Sequence, residues 1–214
     1  MLIHFRRAFT LAVIALVLTF AYALIGTGVS QLFFKHQANG SITANGSTLI
    51  GQNWSATKCP GNPVGSCVFQ GRPDDLGPYA ANPKATPAVA GGDNPLTASS
   101  YNGAVSSGES AASNLGPRSK TLKQNTQALV AYWHQRGVNP TPDLVTTSGS
   151  GYDPDITAAD ATAEIPMVSK STGLSPSVLQ ALINRQNNGA QLGFLGSSYI
   201  NVLQLNQALA QLRR

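Results

Sequence analysis

The most apolar part of the chain runs from Ala8 to Phe34 without a charged residue, between Arg7 and Lys35. A helix of that length, rising about 1.5 Å per residue, reaches roughly 40 Å and exceeds the ~30 Å hydrocarbon core of a bilayer. The pattern predicts a transmembrane helix at 8–34 after a short cytoplasmic N-terminus at 1–7. A cleaved signal peptide is the alternative, because Ala21-Tyr22-Ala23 fits a small-x-small cleavage site.

The charges that flank this stretch predict its orientation. Arg6 and Arg7 precede the apolar run, whereas Lys35 and His36 alone follow it before a long uncharged segment. Basic residues are retained on the cytoplasmic side, so residues 35–214 are expected outside the cytoplasm, which is the periplasm in a Gram-negative bacterium. The protein would then be a single-pass protein of the bacterial inner membrane.

Small residues recur along the predicted span at steps of three and four, which places them on one face of a helix. Such faces let helices pack closely in a lipid bilayer, although alanine is common in any apolar helix. The predicted packing face consists of Ala8, Ala12, Ala15, Thr19, Ala23, Gly26 and Ser30.

After the span, polar and apolar positions first predict short strands. Two Asn-Gly pairs lead into an apolar run at Thr48–Trp54, and Val68–Gln70 predicts another strand. The segment 71–116 is rich in Gly, Pro, Ser and Asn and lacks periodicity, so it is predicted to be a long loop or insertion that serves a function or an interface.

Helical periodicity begins again at Pro117 and ends at Gly137. A strand is predicted at 143–147, a helix from Thr157 with Thr157 and Asp160 as a capping box, and a kink or break at Pro166. A further helix begins at Ser175-Pro176, a strand follows at 199–205, and a last helix covers 206–214. The fold class is a single N-terminal transmembrane helix followed by a mixed α/β extracytoplasmic domain at 35–214.

Composition narrows the function. The chain has 214 residues, a net charge of +5, 21 glycines, 13 prolines and 11% charged residues, which describes a loop-rich domain of ordinary size. Neither a basic run nor an aromatic platform is present, so nucleic acid is not expected as a partner. The lipid bilayer is expected as a partner, because of the predicted transmembrane helix.

Cys59 and Cys67 enclose a short loop rich in proline and glycine. Outside the cytoplasm such a pair is expected to oxidise to a disulfide, with two free thiols as the alternative. Their spacing does not resemble that of a metal site.

No motif predicts catalysis or a metal. The sequence lacks a phosphate-binding loop, a zinc-protease helix and a nucleophile elbow. His134 lies on an amphipathic helix and is interpreted as a surface or half-buried side chain. Asp153, Asp155 and Asp160 lack the full calcium-loop pattern and are interpreted as favouring the positive start of the next helix. Ser148-Gly-Ser-Gly is interpreted as a turn, although it could cradle an anion.

Several motifs, in one order over almost the whole chain, resemble one family. They are QANGS at 37–41, LIGQNW at 49–54, FQGRP at 69–73, Tyr101-Asn102, AASNLGP at 111–117, DLVTTSGSGYDPDIT at 143–157, EIPMVSK at 164–170 and INVLQLNQAL at 200–209. The chain resembles the KdpC subunit of the bacterial KdpFABC potassium-transporting P-type ATPase. It departs from that family in the cysteine loop and at 74–97, so the disulfide is not implied by the resemblance.

The resemblance implies an accessory, non-catalytic subunit of a pump that hydrolyses ATP to import K⁺, with KdpA, KdpB and KdpF as partners. The ion path would lie in KdpA and the phosphorylated aspartate in KdpB, and this sequence lacks a D-K-T-G phosphorylation motif. Such subunits are described as catalytic chaperones that raise the ATP affinity of KdpB, and the glutamine of LIGQ, Gln52 here, is implied in that effect. ATP and K⁺ would be handled by the complex.

The predicted orientation conflicts with a direct role of Gln52 in ATP binding, because ATP is cytoplasmic and Gln52 is expected outside the cytoplasm. Indirect coupling through the complex, or structural stabilisation by a domain over the extracellular mouth of KdpA, reconciles them. A protein of another class, a secreted periplasmic binding protein or hydrolase released by cleavage at Ala23, is the alternative function.

Overall fold

A computed structural model of the chain describes residues 2–43, 46–52, 54, 57–63, 65–73, 115–190 and 192–213. These residues form two units, Met1–Ser41 and Ile42–Arg214. Most of the long loop predicted at 71–116 lies outside the described residues, so that prediction stays open.

The first unit is dominated by one long helix. Helix α1 covers Leu2–Phe33 and the short helix α2 covers Lys35–Ala38. Helix α1 begins six residues earlier than the predicted span and includes Arg6 and Arg7, because two basic side chains end an apolar run without breaking a helix. It is long and apolar enough to cross a membrane, with a mean hydropathy of 2.5, and it fits a single-pass membrane protein.

The second unit begins with a small hairpin. Strands β1 (Ile42–Thr43) and β2 (Gly46–Ser47) pair antiparallel, with Ile42 opposite Ser47. The strand predicted at Thr48–Trp54 is wrong in its described residues. The Ser47 hydroxyl accepts hydrogen bonds from the backbone nitrogens of Leu49 and Ile50, both at 3.0 Å, and this turns the chain out of an extended conformation.

Helix α3 covers Lys120–Gln135 and begins three residues after the predicted start. Ser119 is its N-cap and accepts a hydrogen bond from the Leu122 nitrogen, whereas Pro117 lies in the preceding turn. The strand predicted at 143–147 is wrong, since Asp143–Val145 forms a single 3-10 turn. That turn is held against α3 because the Trp133 indole donates to the Leu144 carbonyl at 2.9 Å.

Helices α4 (Ala158–Thr172) and α5 (Pro176–Gln186) pack against each other. The capping box of Thr157 and Asp160 and the start of α5 at Ser175-Pro176 are confirmed. Pro166 does not split α4. It lies on the exposed face, as does Thr162 one turn earlier, so the carbonyl that proline leaves without a helical partner is on the solvent side.

The last elements pair and pack at the same place. Strands β3 (Asp155–Ile156) and β4 (Ile200–Asn201) are antiparallel, and helix α6 (Val202–Leu212) follows β4 directly. The strand predicted at 199–205 is therefore too long. Asn201 ends it by acting as the N-cap of α6, accepting a hydrogen bond from the Gln204 nitrogen.

One hydrophobic core holds the second unit together. It consists of Phe69, the inner faces of helices α3, α4, α5 and α6, and Leu144 and Val145 of the 3-10 turn, together with a few residues between these elements. Trp133, Phe69, Leu144, Leu179, Ile183, Ile200 and Leu205 are among its fully buried members. Strands contribute little to the described fold, which is mixed but mainly helical.

Candidate functional site: the motif junction

Motifs far apart in the chain meet in the second unit, in a region that we call the motif junction. It comprises the LIGQ loop at 49–52, the FQGRP segment at 69–73, the loop at 148–155, and two asparagines, Asn201 and Asn206. The contacts described below join these segments to one another and to the hairpin, turns and helices around them. The motifs are therefore parts of one structure rather than independent sites.

Gln52 lies against the β1–β2 hairpin and is half-buried. Its Nε2 donates to the Ser47 carbonyl at 3.4 Å, and the same nitrogen lies 2.0 Å from where a Cβ on Gly46 would be. Gly46 has φ +128°, which a residue with a side chain rarely adopts. The glycine thus makes room for the Gln52 amide, and that amide is directed towards its own domain.

Gly51 brings the LIGQ loop onto the loop at 148–155. Its nitrogen donates to the Tyr152 carbonyl at 2.9 Å, and a Cβ on Gly51 would lie only 2.6 Å from the Asp153 carbonyl oxygen. Asn201 reinforces this contact, because its Nδ2 donates to both the Thr48 carbonyl and Asp155 Oδ1 at 3.0 Å. The position of Gln52 consequently depends on these loops.

Arg72 of FQGRP reaches the same loop from another direction. Its guanidinium lies 3.6 Å from Asp143 and 3.8 Å from Asp153, and it donates to the carbonyls of Thr146 and Thr147 at 3.4 and 3.3 Å. The Arg72 side chain is 22% exposed, so these contacts are partly shielded from water. Arg72 serves as a clamp between two loops.

Three aspartates that the sequence groups together have separate structural contacts. Asp153 pairs with Arg72, Asp155 accepts from Asn201, and Asp160 caps α4 and accepts from the Thr141 hydroxyl. Burial raises the pKa of Asp155, with the Asn201 hydrogen bond opposing and the charge of Asp153 adding to that rise. Within the described residues, no group of three His, Cys, Asp or Glu side chains could hold a metal ion.

Phe69 and Gln70 are fixed by side chains rather than by a neighbouring strand. Asn206 of α6 accepts from the Phe69 nitrogen and donates to the Phe69 carbonyl, both at 2.8 Å, and Glu164 Oε2 accepts from the Gln70 nitrogen at 2.8 Å. We call Phe69, Gln70, Glu164 and Asn206 the buried anchor. The strand predicted at Val68–Gln70 is therefore wrong, since a helix side chain takes the place of a second strand.

Glu164 is the most unusual ionisable group of the anchor. It is completely buried, and its Oε1 accepts no hydrogen bond from any residue in the described part of the chain. Burial raises the pKa of Glu164 well above its ordinary value, the Gln70 hydrogen bond opposes this, and the charge of Asp160 adds to it. Folding therefore favours the neutral form of this carboxyl group relative to the unfolded chain.

The cysteine loop lies next to the buried anchor. Cys59 and Cys67 form a disulfide with 5.6 Å between their Cα atoms, and the Gln70 amide donates to the carbonyl of Gly65 inside that loop. The loop also contacts the end of α4, where the Ser66 and Ser171 hydroxyls are 2.8 Å apart. The disulfide thus closes a loop that supports Gln70.

Other candidates from the sequence do not join the motif junction as reactive groups. His134 is exposed on α3. Ser148 forms a turn in which its hydroxyl accepts from the Gly151 nitrogen at 3.0 Å. The proposed packing face lies on α1, where no residue is buried and the Thr19 hydroxyl donates to the Ala15 carbonyl at 2.8 Å.

An open groove of about 450 Å³ borders the anchor. Its lining residues are Trp54, Val68, Leu203, Asn206, Gln207, Ala210 and Gln211, none of which carries a charge. A nucleoside triphosphate such as ATP needs cationic side chains or a helix N-terminus to balance its charge. The groove lining supplies no cationic side chain for that purpose.

Sequence reasoning missed the roles of Arg72, Glu164, Asn201 and Asn206, although all four fall within the quoted motifs. One signal was available. Glu164 and Asn206 stand among the apolar positions of their helices, next to Ile165 and Leu205. A polar residue on the inner face of an amphipathic helix indicates a buried hydrogen bond.

Comparison with known proteins bears on the whole chain. Residues 5–211 match the family described as KdpC: K+-transporting ATPase, c chain. Potassium-transporting ATPase KdpC subunits from Methylorubrum extorquens and Rhodopseudomonas palustris are 36% and 37% identical to it, covering 100% and 93% of this chain and 100% and 92% of theirs. The subunit from Gloeobacter violaceus is 35% identical over 91% of this chain and 88% of its own. The chain therefore belongs to the KdpC family, the c chain of the K⁺-transporting ATPase, with an accessory role in potassium transport.

Proposed function

We propose that this chain is a non-catalytic subunit that stabilises a KdpFABC-type assembly with KdpA, KdpB and KdpF and raises the ATP affinity of KdpB by indirect coupling. The observation that carries the proposal is the position of Gln52. Its amide lies against Gly46 and donates to the Ser47 carbonyl, so the β1–β2 hairpin already engages the polar end of this side chain. A change at Gln52 would alter the motif junction first.

The charges of the domain support coupling rather than nucleotide binding by this chain. Arg72 is the cationic side chain among the contacts described for the motif junction, and it is engaged by Asp143 and Asp153. The groove beside the anchor has no charged lining residue. Coupling free energies between sites are typically 1–3 kcal/mol, which changes an affinity about 5- to 150-fold without direct contact.

The location that we propose is the bacterial inner membrane, with the N-terminus in the cytoplasm and the second unit in the periplasm. Arg6 and Arg7 at the start of α1 favour this orientation. The Cys59–Cys67 disulfide suits an oxidising compartment. The family match begins at residue 5, within α1, which favours retention of this helix over its removal as a signal peptide.

Gln52→Ala in the assembled pump tests the coupling. The expected result is a KM for ATP raised about fivefold or more, the lower end of typical coupling, while potassium-stimulated turnover at saturating ATP changes little. The matched control is Gln127→Ala, an exposed glutamine on α3. If Gln52→Ala leaves the ATP KM at the control value, Gln52 has no part in coupling.

Labelling of Gln52→Cys with a membrane-impermeant thiol reagent tests whether the coupling is indirect. Labelling from the periplasmic side, together with a raised ATP KM in Gln52→Ala, is the expected result. Labelling from the cytoplasmic side alone would contradict indirect coupling and the proposed orientation, because Gln52 would then share a compartment with ATP.

A further inference from the structure

The loop between α5 and β4 exposes large apolar side chains. Leu192 is 82% exposed, Phe194 is 75% exposed and Leu195 is 48% exposed. We call residues 192–195 the apolar loop. Other exposed apolar side chains of the second unit, such as Leu49 and Val178, occur singly in the chain, which is normal for a protein surface. Three exposed large apolar side chains within four consecutive residues are unusual.

The base of the apolar loop is well defined. Asn188 and Tyr199 exchange backbone hydrogen bonds of 2.8 and 3.0 Å, and the Gly193 nitrogen donates to the Ala190 carbonyl at 3.0 Å. Leu192 has φ +54°, a left-handed conformation that is unfavourable for leucine. The backbone therefore projects these side chains outward at a cost in strain, which is typical of functional segments.

The sequence around the loop carries no charge. No Asp, Glu, Lys or Arg occurs from Gln186 to Leu212, between Arg185 and Arg213. A surface without charged side chains can leave water without the large penalty of desolvating an ion. This property fits an apolar environment better than an aqueous one.

We propose that the apolar loop inserts into the lipid interface of the membrane that α1 spans. Residues 34–41 alone connect α1 to β1, and eight extended residues reach at most about 28 Å. The second unit is thereby tethered near a bilayer surface, where the concentration of lipid is very high. Interfacial segments place leucine and phenylalanine about 5–10 Å into the boundary between headgroups and acyl chains.

Lipid is the occupant that the composition of the loop favours over a protein surface. The residues that dominate the binding energy of protein interfaces are enriched in Trp, Tyr and Arg, whereas leucine is under-represented among them. The exposed side chains of the apolar loop are two leucines and a phenylalanine, which offer area but no polar group. The proposal is independent of which side of the membrane the second unit occupies and of its coupling to ATP.

Depth-dependent fluorescence quenching tests the proposal on the full chain in nanodiscs. Phe194→Trp places an indole in the loop, and Gln127→Trp on exposed α3 is the matched control. The signal of the native Trp54 and Trp133 is subtracted with the unsubstituted protein. In phosphatidylcholine brominated near the headgroup we expect the indole at position 194 to lose emission relative to the same variant in unbrominated lipid, because interfacial segments insert to about that depth.

Three comparisons decide the outcome. Weaker quenching at position 194 by lipid brominated near the bilayer centre, and none at position 127, would support interfacial insertion. Equal quenching at both positions would overturn it. The same measurement on the assembled pump separates lipid from protein: an emission blue-shift at 194 without lipid quenching would mean that a subunit covers the loop, and would also overturn the proposal.

Discussion

The two units of this protein treat their polar groups in opposite ways. In α1 no residue is buried, and the Thr10 and Thr19 hydroxyls donate to carbonyls one turn earlier in the same helix. In the second unit, Glu164, Asn201 and Asn206 are buried and bond to segments far away in sequence. A helix suited to lipid needs internal satisfaction only, whereas a loop-rich domain uses long-range polar bonds to fix its loops.

This difference explains how a domain with so little regular sheet keeps a defined structure. The strands in the described part of the domain are two residues long, so main-chain pairing contributes little there. The side chains of Asn206, Glu164, Asn201 and Arg72 perform the pairing that strands perform elsewhere. Loss of one of these contacts should therefore cost more than the loss of an ordinary surface hydrogen bond, and changes in α1 should cost the second unit nothing.

The largest expected effect is that of Asn206→Ala. It leaves the nitrogen and the carbonyl of Phe69 without their described partner in a buried place, and each such group costs about 1–3 kcal/mol. We expect the free energy of unfolding, measured by denaturant titration in detergent, to fall by about 2–6 kcal/mol, the sum for the two groups. The neighbouring exposed Gln207→Ala is the control; equal effects of the two variants would contradict the anchoring role of Asn206.

The second-largest expected effect on the free energy of unfolding is that of removing the disulfide. The double variant Cys59→Ser/Cys67→Ser frees the unfolded chain from a short closed loop, for which chain entropy gives about 2.5 kcal/mol. Denaturant titration should show this loss, and a reductant should destabilise the unsubstituted protein but not the variant. Two thiols counted on denatured, unreduced protein would show that the cysteines are not paired.

The third prediction concerns pH. Because the pKa of Glu164 is raised in the folded state, the folded protein binds more protons than the unfolded chain between the two pKa values. Its stabilising contribution is therefore complete below the unfolded pKa and is lost as pH rises through the folded pKa, by at most about 1.4 kcal/mol per pH unit for one proton.

Glu164→Gln tests this prediction, since an amide keeps an acceptor for the Gln70 nitrogen and does not titrate. Denaturant titrations between pH 5 and pH 8 should show a stability that falls with rising pH in the unsubstituted protein and a flatter profile in the variant. Asp155→Asn is the comparison: it removes a carboxyl group that is only partly buried and whose pKa is also raised, so it should flatten the profile less than Glu164→Gln does. Parallel profiles for the unsubstituted protein and Glu164→Gln would contradict the prediction.

The smallest effect on unfolding is expected in α1. Gly26→Leu adds a large side chain where a Cβ meets nothing within 4 Å, so the unfolding of the second unit should change by less than about 0.5 kcal/mol. If the small-residue face packs against a partner helix, co-purification with the other pump subunits should decrease. Gly28→Leu, on the opposite side of α1 and equally open, is the matched control. Equal retention in both variants would contradict packing on that face.

Local signals predicted the helices well and the strands poorly. The starts of α4 and α5 could be predicted from neighbouring residues, Thr157 with Asp160 and Ser175 with Pro176, because capping involves residues only a few positions apart. Thr48–Trp54 and Val68–Gln70 have the composition of strands. Whether an extended segment pairs with another strand depends on a distant partner, and for Phe69 that partner is an asparagine of α6.

The same distinction applies to the candidate site. The order of the motifs was sufficient to indicate the KdpC family, and the apolar run at 8–34 to indicate a membrane helix, since both are properties of neighbouring residues. That Gly51 of the LIGQ loop bonds to Tyr152, that Arg72 joins Asp143 to Asp153, and that Glu164 is buried with one bonded oxygen were decided by tertiary structure alone. Contacts between residues separated by long stretches of chain depend on how the whole domain closes, and burial, which sets the pKa of a carboxyl group, exists only after it has closed.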